Sequence, residues 1–404
     1  ILISDKFRQS SGPTKVGGKV PKSDSVKQPA NTTGKQRDAI LAFIQAGIEA
    51  INESGVDHIS VSRVTALAKS SRPTFYAYFG DIAGLLADTW LHFGAEFLAK
   101  LADPDYRLEV QTSQEQAKMR ALLEVFTVSH RIQEVHEVLA PNINKWWHEA
   151  VKPKSFVELK LSWLTANRLG SWLTQPIEPK AIMSGIVEQV LTMLGPESSG
   201  IPADPRFIKL PEIKDPGGKD LSMTGQLLDA AIRVIAKSGV VSATMVRIGR
   251  NAQVSTGTIY PRFANGEDIL LETFDYAISQ VVDENFSYTD QTGFAPDQFG
   301  AVVIAGLGKS RQIWRDFRIE THLEGRVNPA LSQRMRQALE ETNKRVMAGL
   351  GALPVSAGER EAIAFLVHTI GIGMALLQNA GVNVANIDHR LITREMIAAM
   401  ARRP

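Results

Sequence analysis

Cysteine is absent from all 404 residues. Its absence excludes disulfides, thiolate metal sites and cysteine-based redox sensing. A dominant sign of charge is also missing: 45 Lys and Arg stand against 43 Asp and Glu, for a formal net charge of +2. Attraction to a polyanion must then come from local patches rather than from the field of the whole molecule. No apolar run is read as long enough to span a bilayer, and no signal peptide is recognised, so cytoplasmic residence is the default expectation. The common enzyme signatures are missing as well: there is no glycine-rich phosphate loop, no H-E-x-x-H and no G-x-S-x-G. His130 and His136 are spaced so as to fall on different faces of a helix and make no metal motif. The chain is read as a non-enzyme without metal or cofactor.

What is present is the same helical unit twice. Ser54-Gly55-Val56 returns as Ser238-Gly239-Val240. Ser71-Arg72-Pro73-Thr74-Phe75-Tyr76-Ala77-Tyr78-Phe79 returns as Ser255-Thr256-Gly257-Thr258-Ile259-Tyr260-Pro261-Arg262-Phe263. Both pairs lie 184 residues apart, Gly55 to Gly239 and Phe79 to Phe263. Arg63 with Arg247, Val64 with Ile248 and Ala68 with Ala252 keep the same register. A repeat of this length is two domain-sized copies rather than a solenoid module.

Within each copy, Leu41, Ile44, Ile48 and Ile51, and then Leu228, Ile232 and Ile235, fall at helical spacing. Gly55 and Gly239 follow, where a helix C-terminus favours a residue tolerant of positive φ. Ser60 and Thr244 are suited to cap one short helix, and Ser71 and Ser255 a second. Asp81 and Asn265 are possible caps of a fourth, longer helix. Two short helices joined by a tight turn describe a helix-turn-helix. Hydroxyls and helix N-terminal amides can bind phosphate there, and Arg can also read guanine edges.

The order helix, Gly, Ser/Thr, short helix and S-x-x-T-[FI]-Y-x-x-F resembles the DNA-binding domain of TetR-family transcription regulators, over about 55 residues in each copy. The resemblance implies an all-α, ligand-responsive regulator, a repressor by expectation, with two tandem helix-turn-helix heads and two helical ligand/dimerisation bodies forming an intramolecular pseudo-dimer. Its implied partners are a double-stranded DNA operator, without symmetry because the two readers differ, and an apolar small-molecule effector; no membrane is involved. The implied DNA-binding residues are Ser60, Arg63, Ser71, Arg72, Thr74, Tyr76 and Tyr78, with Thr244, Arg247, Ser255, Thr256, Thr258, Tyr260 and Arg262. Many members of the family hold a phosphate with a Lys three residues after the Phe; here Ile82 and Gly266 stand there. That departure supports the alternative of a ligand- or protein-binding module whose heads no longer grip DNA.

The organisation expected is a disordered arm (1–34), a first head (35–95), a first helical body (96–198), a proline-bearing linker (199–220), a second head (221–280) and a second body (281–404). In the bodies, helices are expected over Ala117–Val138, Asn142–Ala150, Val157–Leu173 and Pro179–Leu194. Those of the second body are Asp297–Gly308, Arg311–Leu323, Pro329–Leu350, Ala357–Asn379 and His389–Ala401. The last two helices of each copy should form a four-helix bundle. Gly371, Gly373 and Ala375 opposite Ala166 and Gly170 would permit close approach. Candidate effector-pocket residues are Phe126, His130, Trp146 and Trp163 in the first body, and Trp314, His322 and His368 in the second. A mostly apolar pocket with a few polar groups suits a small hydrophobic ligand.

Overall fold

The computed structural model describes residues 34–151, 155–200, 222–292 and 296–402. The expected N-terminal arm, Gly34 apart, and nearly all of the expected linker lie outside the described residues. Among the described residues the ordered elements are helices. The first head is α1 (Gly34–Ser54), α2 (Val61–Leu67), α3 (Arg72–Phe79) and the start of α4 (Ile82–Ala102). The first body adds α5 (Ser113–Val128), α6 (Gln133–Trp146), α7 (Phe156–Thr174) and α8 (Gly185–Met193). The second head is α9 (Met223–Ser238), α10 (Met245–Asn251), α11 (Thr256–Ile259) and the start of α12 (Gly266–Thr292). Then come α13 (Pro296–Gly306), α14 (Gln312–Gly325), α15 (Pro329–Gly349), α16 (Ala357–Asn379) and α17 (His389–Ala401).

Each head has a small core of its own. Phe43, Ile44, Val64, Phe75, Phe79 and Leu85 close the first, with Phe75 and Phe79 both edge-on to Phe43 at 5.7 Å between ring centres. Leu227, Leu228, Ile248, Ile259, Phe263 and Ile269 close the second. The large common core belongs to the bodies, and α7 against α16 is its central contact. A Cβ at Gly170 would overlap the carbonyl of Thr369, and one at Gly373 would overlap that of Ala166. Two backbones can meet this closely only where side chains are absent. Gly371 has a different position: it faces the Arg318 guanidinium rather than α7.

A buried polar chain crosses the same contact. Thr369 Oγ1 donates to Asn167 Oδ1 at 2.5 Å, and Asn167 Nδ2 donates to Glu188 Oε1 at 3.0 Å. Glu188 pairs with Arg168 at 3.3 Å. Arg168 also donates to the carbonyls of Leu101, Asp103, Pro104 and Tyr106, tying α7 to the end of α4.

Several expected elements are corrected. The helix expected over Ala117–Val138 breaks at Ser129–Ile132, where Arg131 and Ile132 both donate to the Val128 carbonyl at 3.1 Å. The expected break near Pro141 does not occur. Pro141 sits inside α6 and forfeits one backbone hydrogen bond, while the buried stripe Val135, Leu139 and Ile143 carries the helix through it. The expected helix from Pro179 opens as a 3-10 turn, Pro179–Ser184, before α8. The passage from the first body into the expected linker is tied down, with Ser198 and Ser199 hydrogen-bonded to Glu395 on α17 at 2.7 and 2.6 Å. In place of a simple four-helix bundle, α17 lies mainly along α13 and touches α8 only at the margin. Finally, α16 is by length and composition apolar enough to cross a membrane, contrary to the reading of the sequence. Yet 78% of its apolar window is buried inside the protein, against α7 above all.

Gly373→Val is expected to lower the urea midpoint, with a loss at the upper end of the ~1–3 kcal/mol typical of overpacking, because the clash is with backbone. Gly371→Ala, whose Cβ would meet Arg318 only at 3.7 Å, is the control and should be neutral or mildly stabilising. An unchanged midpoint for Gly373→Val would show that the crossing relaxes freely.

Candidate nucleic-acid interface and effector cavity

Local rules build both heads the same way. Gly55 and Gly239 end α1 and α9 at φ of 84° and 80°. Ser60 Oγ caps α2 by accepting from Arg63 N at 3.2 Å, and Thr244 Oγ1 caps α10 by accepting from Arg247 N at 3.4 Å. The turn into the next helix passes through Lys69 and Gln253, non-glycine residues at φ of 48° and 59°, again 184 apart. Beyond it, Ser71 Oγ accepts from Thr74 N at 3.2 Å. Ser255 precedes α11 without that side-chain cap, its Oγ lying 3.5 Å from Thr258 Oγ1.

The second short helices of the two heads differ. α3 has eight residues and α11 has four. Pro261, at the place of Ala77, brings no N–H to continue the ladder. Tyr76 and Tyr260 are 53% and 58% exposed, so neither ring is committed to the core. Tyr78 differs, with its ring half-buried and edge-on to Phe43 at 6.3 Å. Thr74, Thr256 and Thr258 are half-buried, whereas Ser60, Ser71, Thr244 and Ser255 are exposed. Among the cations, Arg63 is engaged by Glu53 at 2.5 Å, and its hydrogen bond holds the Glu53 carboxyl below its ordinary value. Arg72 donates to Ser62 Oγ at 2.6 Å, Arg247 to the Ser242 carbonyl at 3.2 Å and Arg262 to the Thr258 carbonyl at 2.8 Å. These three are exposed and have no carboxylate partner among the described residues.

Beneath the heads lies a charged junction that sequence reading missed. Arg131 grips Asp57 through both carboxylate oxygens at 2.6 and 2.7 Å, and its Nε donates to Glu320 at 2.7 Å. The turn at Gly239 sits on the same guanidinium, where a Cβ would come within 3.0 Å. Arg326 donates to the carbonyls of Ile51 and Asn52 at 2.6 and 3.0 Å, ending α1, and pairs with Glu124 at 2.6 Å. Glu124 also accepts from Val56 N at 2.8 Å. Burial outweighs Arg326 and that N–H, and the Glu124 carboxyl is pushed up to about 7. His130, by contrast, lies 3.2 Å from Glu320; burial opposes its charge but the carboxylate prevails, and its value is raised.

The second body encloses a cavity of about 230 Å³ between α12, α13, α14, α15 and α16. Trp314, His322 and His368 line it, together with Phe317 and Met335. Among the described residues no Asp or Glu lines it, but Arg311, Arg315 and Arg318 do. The other pocket candidates are placed differently. Phe126 is fully buried against Trp90 and Phe97. Trp163 is buried against Phe299 and His389, and Trp146 lies beside Trp147. His130 is spent on the junction. Large rings fill the first body, with Trp172 edge-on to Phe97 at 6.1 Å, and Phe126, His130, Trp146 and Trp163 do not line the cavity of the second body. A separate, polar cavity of about 170 Å³ lies in the first body beside Arg168 and Tyr106. The arginines of α14 carried a signal in the sequence, cations interleaved with Trp314 and Phe317 at helical spacing. The junction carried none, since its partners lie far apart along the chain.

The Glu124 carboxyl has an ordinary value of 4.5 and about 7 in the fold. The folded state therefore holds its proton over that interval. This contribution to stability is fully present below 4.5 and is lost as pH rises through about 7. Urea unfolding of Glu124→Gln should lack that decline, so the difference in midpoint between variant and wild type should shift in the variant's favour from pH 5 to pH 7.5. A pH-independent difference would remove Glu124 as its source.

Residues 227–273, from within α9 to the second turn of α12, match the family described as bacterial regulatory proteins, tetR family. The chain is 32% identical over 78 residues to the fatty acid metabolism regulator protein of Bacillus subtilis (strain 168). That alignment spans 19% of this chain and 40% of the relative's length. A solved transcriptional regulator from Rhodococcus sp. Rha1 is similar at a TM-score of 0.38 and 16% identity, over 45% of this chain and 100% of that one. Residues 227–273 therefore form a helix-turn-helix segment similar to that of bacterial regulatory proteins of the tetR family.

Proposed function

We propose that the chain is a fused pair of tetR-like units, a DNA-binding regulator whose two unlike heads read the two halves of one operator. The observation that carries this reading is the agreement of the heads at fixed offset. A glycine of positive φ after the first helix, a left-handed residue in the turn and a hydroxyl cap on the first short helix recur 184 residues apart. The packing of α7 on α16 supports a pseudo-dimer, since those helices belong to opposite halves. Arg72 and Ser71 of one head and Arg262, Arg247 and Thr256 of the other are the residues expected to meet DNA. Fusion frees the two readers to diverge, and the eight-residue α3 and four-residue α11 have diverged. An operator with dissimilar half-sites follows, spaced by whole helical turns.

The cavity beside α14 is the proposed effector site. One side of α14 lines it through Trp314, Arg318 and His322. The other side carries Glu320 and Glu324 into the junction, where Glu324 pairs with His58 at 3.0 Å. Its length packs on α9 of the second head, and Arg326, just past its end, holds α1 of the first. A ligand that displaces α14 would therefore change the setting of both heads from a single cavity, provided it prefers the non-binding arrangement.

Selection of bound sequences from random duplex DNA at near-physiological salt tests the reading. An enriched asymmetric site is expected, with affinity falling steeply as salt rises. A clean palindrome would instead mean two chains each using the same head. No enrichment by folded protein would favour the partner-binding module. Arg72→Ala is expected to cost about 1–3 kcal/mol and to relax discrimination in one half-site alone, if the guanidinium reads a base edge. Equal loss on all sequences would assign it to phosphate.

A further inference from the structure

Arg318 stands out among the charges of the interior. It lies within the second body, lines the apolar cavity, and has no carboxylate partner among the described residues. Its hydrogen bonds are two long ones from Nη2, to His368 Nδ1 at 3.3 Å and to the His368 carbonyl at 3.4 Å. A guanidinium has five N–H donors in a planar fork, so most of this fork is unspent. The other two arginines of the wall donate to uncharged oxygens, Arg315 leaving its Nε without a partner among the described residues. Arg311 donates to Asn285 at 2.8 Å, and Arg315 to the carbonyls of Gly306 and Gly308 at 2.8 and 2.7 Å.

The neighbouring histidines do not compensate the charge. His368 accepts from Arg318 at Nδ1, so its Nε2 donates to Asn343 Oδ1 at 3.0 Å. His322 donates from Nδ1 to the Arg318 carbonyl at 2.7 Å, which leaves Nε2 as a buried acceptor without a partner. Burial, with Arg318 nearby, holds both imidazoles neutral at about 3. At Arg318 and His322 the wall thus presents a cation without a carboxylate and an acceptor without a partner, in a mostly apolar space. Burying an uncompensated charge is costly, and a ligand with a matching group would remove that cost.

We propose that this cavity takes an apolar monocarboxylate, its hydrocarbon body against Phe317 and Met335 and its carboxylate on the Arg318 fork. The planar fork matches a carboxylate in bidentate fashion. One carboxylate group is enough to fill the Arg318 fork. A neutral ligand would leave Arg318 unpaired, and a cationic one would be repelled. The proposal rests on the reading of this cavity as the effector site and adds the chemical class of its occupant.

Calorimetric titration of the full chain with decanoate, decanol and decylamine tests it. Decanoate is expected to bind at least about tenfold more tightly than decanol, from the charge-assisted hydrogen bonds, and decylamine more weakly than either. Arg318→Gln should remove the preference for decanoate while leaving decanol unaffected. Arg318→Met, without the unpaired charge, should melt no lower than wild type and lose the rise in melting temperature that decanoate gives. Equal binding of decanoate and decanol, retention of the preference in Arg318→Gln, or no binding of any decyl compound would each overturn the proposal. DNA binding is read separately. If decanoate binds through Arg318 yet leaves operator affinity unchanged, the carboxylate site stands and its role as an effector site falls.

Discussion

Everything in this molecule hangs on the close crossing of α7 and α16. Gly170 and Gly373 bring the two backbones together, and the Thr369–Asn167–Glu188–Arg168 chain satisfies the polar groups buried there. Such a chain helps only when its members are all paired, because an unpaired polar group in low dielectric is costly. Arg168 meets that demand with one carboxylate and four backbone carbonyls. The contact therefore joins the halves and also fixes the end of α4, and with it the base of the first head. An apolar face alone would have given adhesion without this register.

A second layer of order follows from how charge is distributed around α14. One side of the helix is exposed to an apolar cavity, the other to a dense set of ion pairs reaching Asp57, His58, Arg131 and Glu124. Buried pairs of this kind contribute little net stability but strongly penalise any geometry that separates them. A helix bounded by such pairs resists small drift, and its resting position is well defined. On its cavity side Arg318 remains uncompensated, so the wall as it stands favours a partner of opposite charge. The junction and the cavity thus act on a single rigid element from opposite sides.

The first and second bodies solve the same packing task in different ways. Trp90, Phe97, Phe126 and Trp172 fill the first with aromatic rings. In the second, a cavity stays open between rings such as Phe299, Trp314 and Phe317 and the smaller Val303, Gly371 and Ala375. The local likeness of the heads does not extend to the interior.

Local chemistry determined the heads. Caps at Ser60, Ser71 and Thr244, glycines at 55 and 239, and the apolar spacing of α1 and α9 act within a few residues of each other, so they were legible in the chain. The same locality made the helices of the second body readable to within a few residues, Ala357–Asn379 and His389–Ala401 among them. Pro141 does not end α6, because the buried stripe Val135, Leu139 and Ile143 outweighs the one hydrogen bond it forfeits. Composition also pointed to aromatic and histidine residues as pocket walls, without saying which would be wall and which filling. Only the tertiary structure decided that Trp314 and His368 border open space while Phe126 and Trp163 do not, for that depends on what packs opposite each ring. It alone brought Arg131 to Asp57 and Arg326 to the end of α1, pairs 74 and 275 residues apart. Short-range order is set by residues that neighbour one another in the chain; charge pairing and empty volume are set by residues that the fold makes neighbours.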